Sequence, residues 1–87
     1  MKQISIIIPC FNDGKYLLDT IKSAAPAIEM GAEVIVVNDG STDLHTLDVL
    51  THLPGPIVVL QKENGGLSSA RNYGIAQAKG DFIYPLD

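Results

Sequence analysis

Four short apolar runs, mostly β-branched, recur along the chain at residues 4–8, 34–37, 57–60 and 82–86. Runs that are apolar on both faces suit strands buried between two layers of helix. Pro9 is expected to stop the first run, and Pro54, Gly55 and Pro56 set off the third. Between the first two runs Leu17, Leu18, Ile21, Ala24, Ala25 and Ile28 recur at steps of three and four, which places them on one helical face. Pro26 interrupts that face. Its ring removes the hydrogen bond to the carbonyl four residues back, so the helix should kink or stop nearby, with Gly31 closing the segment. Asp43 is suited to cap a second helix that turns Leu44, Leu47, Leu50 and Leu53 inward. Ser68 or Ser69 would cap a third, in which Ala70, Gly74 and Ala78 form a stripe of small residues that lets the helix backbone approach the sheet. Gly80 should end it.

The resulting order is β-α-β-α-β-α-β, with no repeats or low-complexity tracts. Strands that alternate with single helices predict an α/β fold, three layers α/β/α around a mostly parallel four-stranded sheet. At 87 residues there is room for one core, so residues 1–87 are read as a single domain. A composition of 46% hydrophobic and 18% charged residues excludes a disordered chain. Six basic against ten acidic residues give a net charge of −4, which would repel a phosphate backbone, so nucleic acid is not expected as a partner. The lone Cys10 forms no internal disulfide, and no run approaches the roughly 18 apolar residues of a membrane span. The first apolar run is also too short for a signal-peptide core, and a reducing, cytoplasmic setting is the expectation.

In a parallel sheet, ligands bind beyond the carboxyl ends of the strands. Those ends read Pro9-Cys10-Phe11-Asn12-Asp13-Gly14, Asn38-Asp39-Gly40-Ser41-Thr42-Asp43, Glu63-Asn64-Gly65-Gly66-Leu67 and, last, Asp87. Each is polar or glycine-bearing. Asp39 would sit at a strand tip, its carboxylate free to accept hydrogen bonds from a ligand, although Asp-Gly also favours a plain turn. Arg71 in the first turn of the third helix would oppose the macrodipole, which suggests a use elsewhere; a solvent-facing arginine is as good a reading. Gly65-Gly66 before that helix could cradle an anion with backbone N–H groups, or simply turn the chain. His45 and His52 lie seven residues apart, about 10 Å by helix rise, too far to share a metal ion. Cys10 has no basic neighbour in sequence to make it a thiolate, which favours packing over catalysis. Tyr16, Tyr73 and Tyr84 read as core or boundary aromatics.

Taken together, the strings at residues 6–12, 36–43, 63–72 and 79–87 resemble the amino-terminal part of a glycosyltransferase family 2 enzyme. The resemblance implies a GT-A (Rossmann-like) fold whose opening segment binds a nucleotide-sugar. It implies that Pro9, Cys10 and Phe11 line the base and ribose pocket, that Asp39 hydrogen-bonds the base, commonly uracil and hence a UDP-sugar, and that Arg71 stands near the base. Asp87 aligns with the first aspartate of an Asp-x-Asp motif, which contacts the ribose and works beside Mg²⁺ or Mn²⁺. Asn38 stands where many relatives carry Asp, and Cys10 where a small or hydroxylated residue is usual.

The second aspartate, the acceptor site and the general base of that family are not among these residues. The expectation is therefore a segment of a transferase, inactive and metal-free by itself, whose parent would act in the cytoplasm or at the cytoplasmic face of a membrane. An exposed sheet edge would permit self-association. The alternatives are a Rossmann dinucleotide module, which would need Gly-x-Gly-x-x-Gly after the first strand where Pro9–Gly14 has nothing like it, and a phospho-acceptor domain, which would need more acidic residues there. A catalytically inert folded fragment is the last.

Overall fold

In the computed structural model, which describes residues 3–86, the elements are β1 (Ile4–Cys10), α1 (Gly14–Ser23), α2 (Ala25–Glu29), β2 (Glu33–Asp39), α3 (Leu44–Thr51), β3 (Ile57–Lys62), α4 (Leu67–Gln77) and β4 (Phe82–Pro85). The strands form one sheet in the order β3-β2-β1-β4, and every pair is parallel. Alternation along the central strands divides the core in two. Ile6, Ile8 and Cys10 of β1 and Val34 and Val36 of β2 pack with Leu17, Ala24, Val49 and Leu50 of the helices on one face. Ile7, Ile35 and Val37 meet Ala70 of α4 on the other. The three-layer α/β/α arrangement expected from the pattern is the one observed.

Pro9 does not stop the first strand, which runs on to Cys10 with Pro9 paired in register to Val37. The physical reason is the direction of its missing donor. Leu86 N–H donates to Ile7 O on the β4 side at 2.8 Å, so Pro9, two residues further along, faces that same side, where β4 has already ended at Pro85. Its pairing with β2 is kept, and the ladder to β4 ends there.

The first helical segment is two helices. Ala24 ends α1 and begins α2, and Pro26 falls in the first turn of α2, where a proline needs no N–H partner. Leu18 and Ala25, expected inside, are exposed. In α3 the inward face is Thr46, Val49 and Leu50, with Leu53 beyond, whereas Leu44 is 83% exposed and Leu47 also faces outward. Thr46 sets that rotation. Its N–H and Oγ1 both donate to Asp43 Oδ2, at 2.9 and 2.8 Å, while its Oγ1 accepts from Gly14 N–H at 2.9 Å. Pinned beneath the start of α1, Thr46 carries the positions three, four and seven residues on into the core. Tyr16, Tyr73 and Tyr84 are exposed rather than core residues.

The small-residue stripe of α4 does what its composition implies. A Cβ on Gly74 would lie 2.6 Å from Ile7 Cγ2 and 3.0 Å from Val37 Cγ2, so only glycine lets α4 lie this close to the sheet. The cap of α4 differs from expectation: Gly66 occupies it, Ser68 and Ser69 lie inside the first turn, and the helix ends at Gln77, short of Gly80.

Candidate functional site

The carboxyl ends of β1, β2 and β3 and the start of α4 meet at one edge of the sheet. They enclose an open cleft of ≈ 210 Å³ lined by Pro9, Cys10, Phe11, Asp13, Asp39, Asn64, Gly66, Leu67 and Ala70. Four of the residues singled out from sequence, Pro9, Cys10, Phe11 and Asp39, therefore share one hollow. Arg71 follows Ala70 on α4, half-buried and not part of the lining, and it falls in the second turn rather than the first. Asp87 lies outside the described residues.

Asp39 is not free to receive a ligand, as the strand-tip argument expected. Its side chain is 4% exposed, and both oxygens are occupied. Oδ1 accepts from Lys62 Nζ at 2.9 Å and from Gly65 N–H at 3.0 Å; Oδ2 accepts from Gly66 N–H at 2.9 Å and from Asn64 Nδ2 at 3.3 Å. Two bonds to each oxygen saturate a carboxylate. The Gly65-Gly66 pair does cradle an anion, and that anion belongs to the chain itself. Gly66, at φ +94, adopts a conformation open to glycine that turns its N–H onto Asp39. Helix α4 thus receives at its N-terminus a carboxylate from β2, in the place where a local serine was expected to cap it. Burial is the largest single influence on the Asp39 carboxyl and raises its pKa. The Lys62 ammonium and the N–H groups of Gly65 and Gly66 together outweigh it, and the net shift is downward.

Cys10 is buried to 1% exposure, and its thiol donates to Asp13 Oδ1 at 3.1 Å. Burial, then the Asp13 carboxylate, push its pKa up to about 12. It is a neutral donor that orients Asp13, not a nucleophile. Phe11, half of whose surface is exposed, stands at the rim, with its N–H on the same Asp13 oxygen at 3.2 Å.

Asn12 joins the two loops. Its side-chain oxygen accepts from Thr42 N–H at 2.8 Å and Asp43 N–H at 2.9 Å, and its own N–H donates to Ser41 Oγ at 3.0 Å. To do so it takes φ +53, in the left-handed region where Asn is among the few side chains tolerated.

The family model for glycosyl transferase family 2 matches residues 5–87. The chain belongs to glycosyltransferase family 2. It is 43% identical over 80 residues to an uncharacterized glycosyltransferase of Rickettsia typhi, covering 92% of this chain and 25% of that protein. It is 39% identical over 87 residues to the chondroitin synthase of Pasteurella multocida, covering 97% of this chain and 9% of the synthase. The crystal structure of S. aureus TarS 1–349 superimposes with a TM-score of 0.81 at 35% identity, covering 100% of this chain and 27% of that one. A mannosyltransferase of Pyrobaculum calidifontis, PcManGT, solved in complex with GDP-Man and Mn²⁺, shares the fold with a TM-score of 0.78 at 21% identity, over 94% of this chain and 26% of its own. The sheet is therefore part of a GT-A fold. The chain spans about a quarter or less of the length of these relatives.

The family's divalent metal has no fitting set of ligands among the described residues, which hold no group of three acidic, His or Cys side chains able to bind one. Of the two cleft carboxylates, Asp39 is saturated by its loop and Asp13 Oδ1 holds Cys10 and Phe11. Sequence reasoning placed Asn12, Asp13 and Asn64 in the strand-end segments without giving them roles, and passed over Lys62. A signal for Lys62 existed in the register: it closes β3 directly opposite Asp39, but that pairing is visible only once the strand order is known. Asn12 was marked only by its place in a strand-end segment; its bonds to Ser41, Thr42 and Asp43 cross to a loop 29 to 31 residues away.

Proposed function

We propose that this cleft is the nucleotide subsite of a glycosyltransferase that moves a sugar from a nucleoside-diphosphate sugar, with UDP as the nucleotide, to an acceptor hydroxyl. The observation that carries the reading is the convergence of Pro9, Phe11, Asp39 and the Asn64–Gly66 loop on one hollow at the strand ends of a family 2 chain. At ≈ 210 Å³ the hollow is smaller than the roughly 300–1,000 Å³ of whole ligand sites, which suits a base and part of its ribose. Phe11 offers a flat apolar face at the rim. Asp39 would supply an ionised acceptor once a base displaces one of the four donors that saturate it, and Cys10 with Asp13 makes a polar wall. The sugar and diphosphate would extend outward, towards residues beyond this segment. The reaction is displacement at the anomeric carbon: the acceptor oxygen forms the new bond, the nucleoside diphosphate leaves with the electron pair, and the acceptor proton passes to a base.

The proposal extends to a cytoplasmic setting and to pairing of copies through the outer edge of β4, which meets no other strand among the described residues. Calorimetric titration of the chain with UDP, GDP, ADP and NAD tests the central reading. UDP is expected to bind best, and Asp39→Asn to weaken it. Tighter binding of NAD, or no binding of any nucleotide, would sink the proposal.

A further inference from the structure

The two oxygens of Asp39 are not equivalent. Both donors to Oδ2, Asn64 and Gly66, belong to residues that line the cleft, whereas neither donor to Oδ1, Lys62 or Gly65, is part of the lining. Oδ2 is thus the oxygen on the ligand side. Its bond from Asn64 Nδ2, at 3.3 Å, is the longest of the four, and the same amide also donates to Asp39 O at 3.0 Å. That amide can release Oδ2 and keep a partner; neither glycine N–H has a second acceptor among the described residues. Lys62 is held in turn. Its Nζ also donates to Glu63 O at 2.6 Å, its side chain is 15% exposed, and Asp39 is its register partner across β2 and β3.

We infer that Lys62 is a positioning residue for the nucleobase: by anchoring Asp39 Oδ1 from outside the cleft lining it reserves Oδ2 for a ring N–H of the base, which displaces the Asn64 amide. This rests on the reading of the cleft as a nucleotide subsite. The base it favours carries a ring N–H flanked by carbonyls, as uracil does, because a carboxylate accepts and cannot donate. The exchange replaces one N–H donor by another, so no charge is left unpaired in a buried place. The Asn64 amide, once released, stands beside the base with one N–H to spare for a base carbonyl.

The test is titration with UDP of the wild-type chain, Lys62→Met and Lys62→Arg, each checked for folding by circular dichroism. Lys62→Met is expected to weaken UDP binding about tenfold or more, since a charge-assisted bond is lost, and Lys62→Arg to restore most of it. The pH profile separates positioning from plain stabilisation. Lys62 and Glu63 from the β3 end, Cys10 and Asp13 from the β1 end and Arg71 on α4 are the ionisable groups around Asp39. Among these, Lys62 is the cation that bonds it. Without Lys62 the acid limb of UDP binding should move to higher pH, which a merely structural role would not produce. In the wild-type chain, saturating UDP should shift the Asn64 side-chain amide resonances and leave Gly65 N–H protected from exchange, a measurement that stands if Lys62→Met fails to fold. Unchanged affinity and acid limb in Lys62→Met, or an Asn64 amide indifferent to UDP, overturns the inference alone. Failure of the unsubstituted chain to bind UDP overturns the subsite reading and this inference with it.

Discussion

The side-chain oxygen of Asn12 accepts the main-chain N–H of Asp43 at 2.9 Å, so a residue in the loop after β1 positions the residue that caps α3. Asp43 in turn holds Thr46, and Thr46 holds Gly14 at the start of α1. The loops that follow β1 and β2 are therefore one hydrogen-bonded unit. Replacing Asn12 by Ala removes the side-chain bonds and puts a Cβ-bearing residue without compensation at φ +53. The expected cost is about 1–2 kcal/mol. Asn12→Gly should cost less, because it loses the bonds but relieves the backbone. Urea denaturation midpoints ranked wild type, Gly, Ala check this; an Ala variant as stable as the Gly variant would contradict it.

Gly74→Ala tests the approach of α4 to the sheet. Helix propensity alone would favour Ala by up to about 1 kcal/mol. The new Cβ would meet Ile7 Cγ2 at 2.6 Å, and Ile7 is fully buried, so it has nowhere to move. Overpacking of this kind costs about 1–3 kcal/mol. A lower melting temperature is expected, and because α4 carries Ala70 and Leu67 into the cleft, weaker nucleotide binding should accompany it.

The acid dependence of stability should trace to Asp39. Its carboxyl titrates below the ordinary value of 3.8 in the folded chain, so the folded state holds the proton less tightly than the unfolded state. Its contribution is present above pH 3.8 and is lost as pH falls through the depressed folded value. Asp39→Asn should lower stability at neutral pH by about 3 kcal/mol, since it leaves the Lys62 ammonium buried without its counter-charge. The same change should flatten the acid limb. Thermal melts of both proteins between neutral pH and pH 3 provide the comparison. An acid limb of unchanged steepness in the variant would assign the effect to other carboxylates.

Cys10 should resist thiol reagents. With its pKa pushed from 9.0 up to about 12, the thiolate fraction at pH 8 is about a thousandfold lower than for an unperturbed thiol. Its protonated form is favoured by folding, so its contribution to stability persists below pH 9.0 and is lost as pH rises towards about 12. Iodoacetamide labelling followed by mass spectrometry should be slow in the native chain and fast in urea. Rapid native labelling would show that Cys10 is neither buried nor bonded to Asp13.

The strands, their order in the chain and the parallel α/β layering were all legible in the amino-acid sequence, because β-branched runs between breakers constrain the backbone locally. Motif strings also carried the family, and the small-residue stripe of α4 announced its own close packing. Local rules misjudged the elements whose orientation depends on a distant partner. Leu44 and Leu47 look inward by period, yet Thr46 is held beneath Gly14, 32 residues away, and rotates α3 so that they face water. Ser68 and Ser69 look like caps, yet a carboxylate from β2 reaches the start of α4 first. Asp39 itself was found by its place at a strand end, but its saturation was not, since Lys62, Asn64, Gly65 and Gly66 lie 23 to 27 residues further along. The amino-acid sequence by itself determined which segments are strands and helices and which residues end up at the strand tips, since backbone propensity and breaker residues act over a few neighbours. Only the tertiary structure decided which of those tips touch, which oxygen of Asp39 is held and which faces the cleft, because long-range pairing of charges and donors is set by strand order.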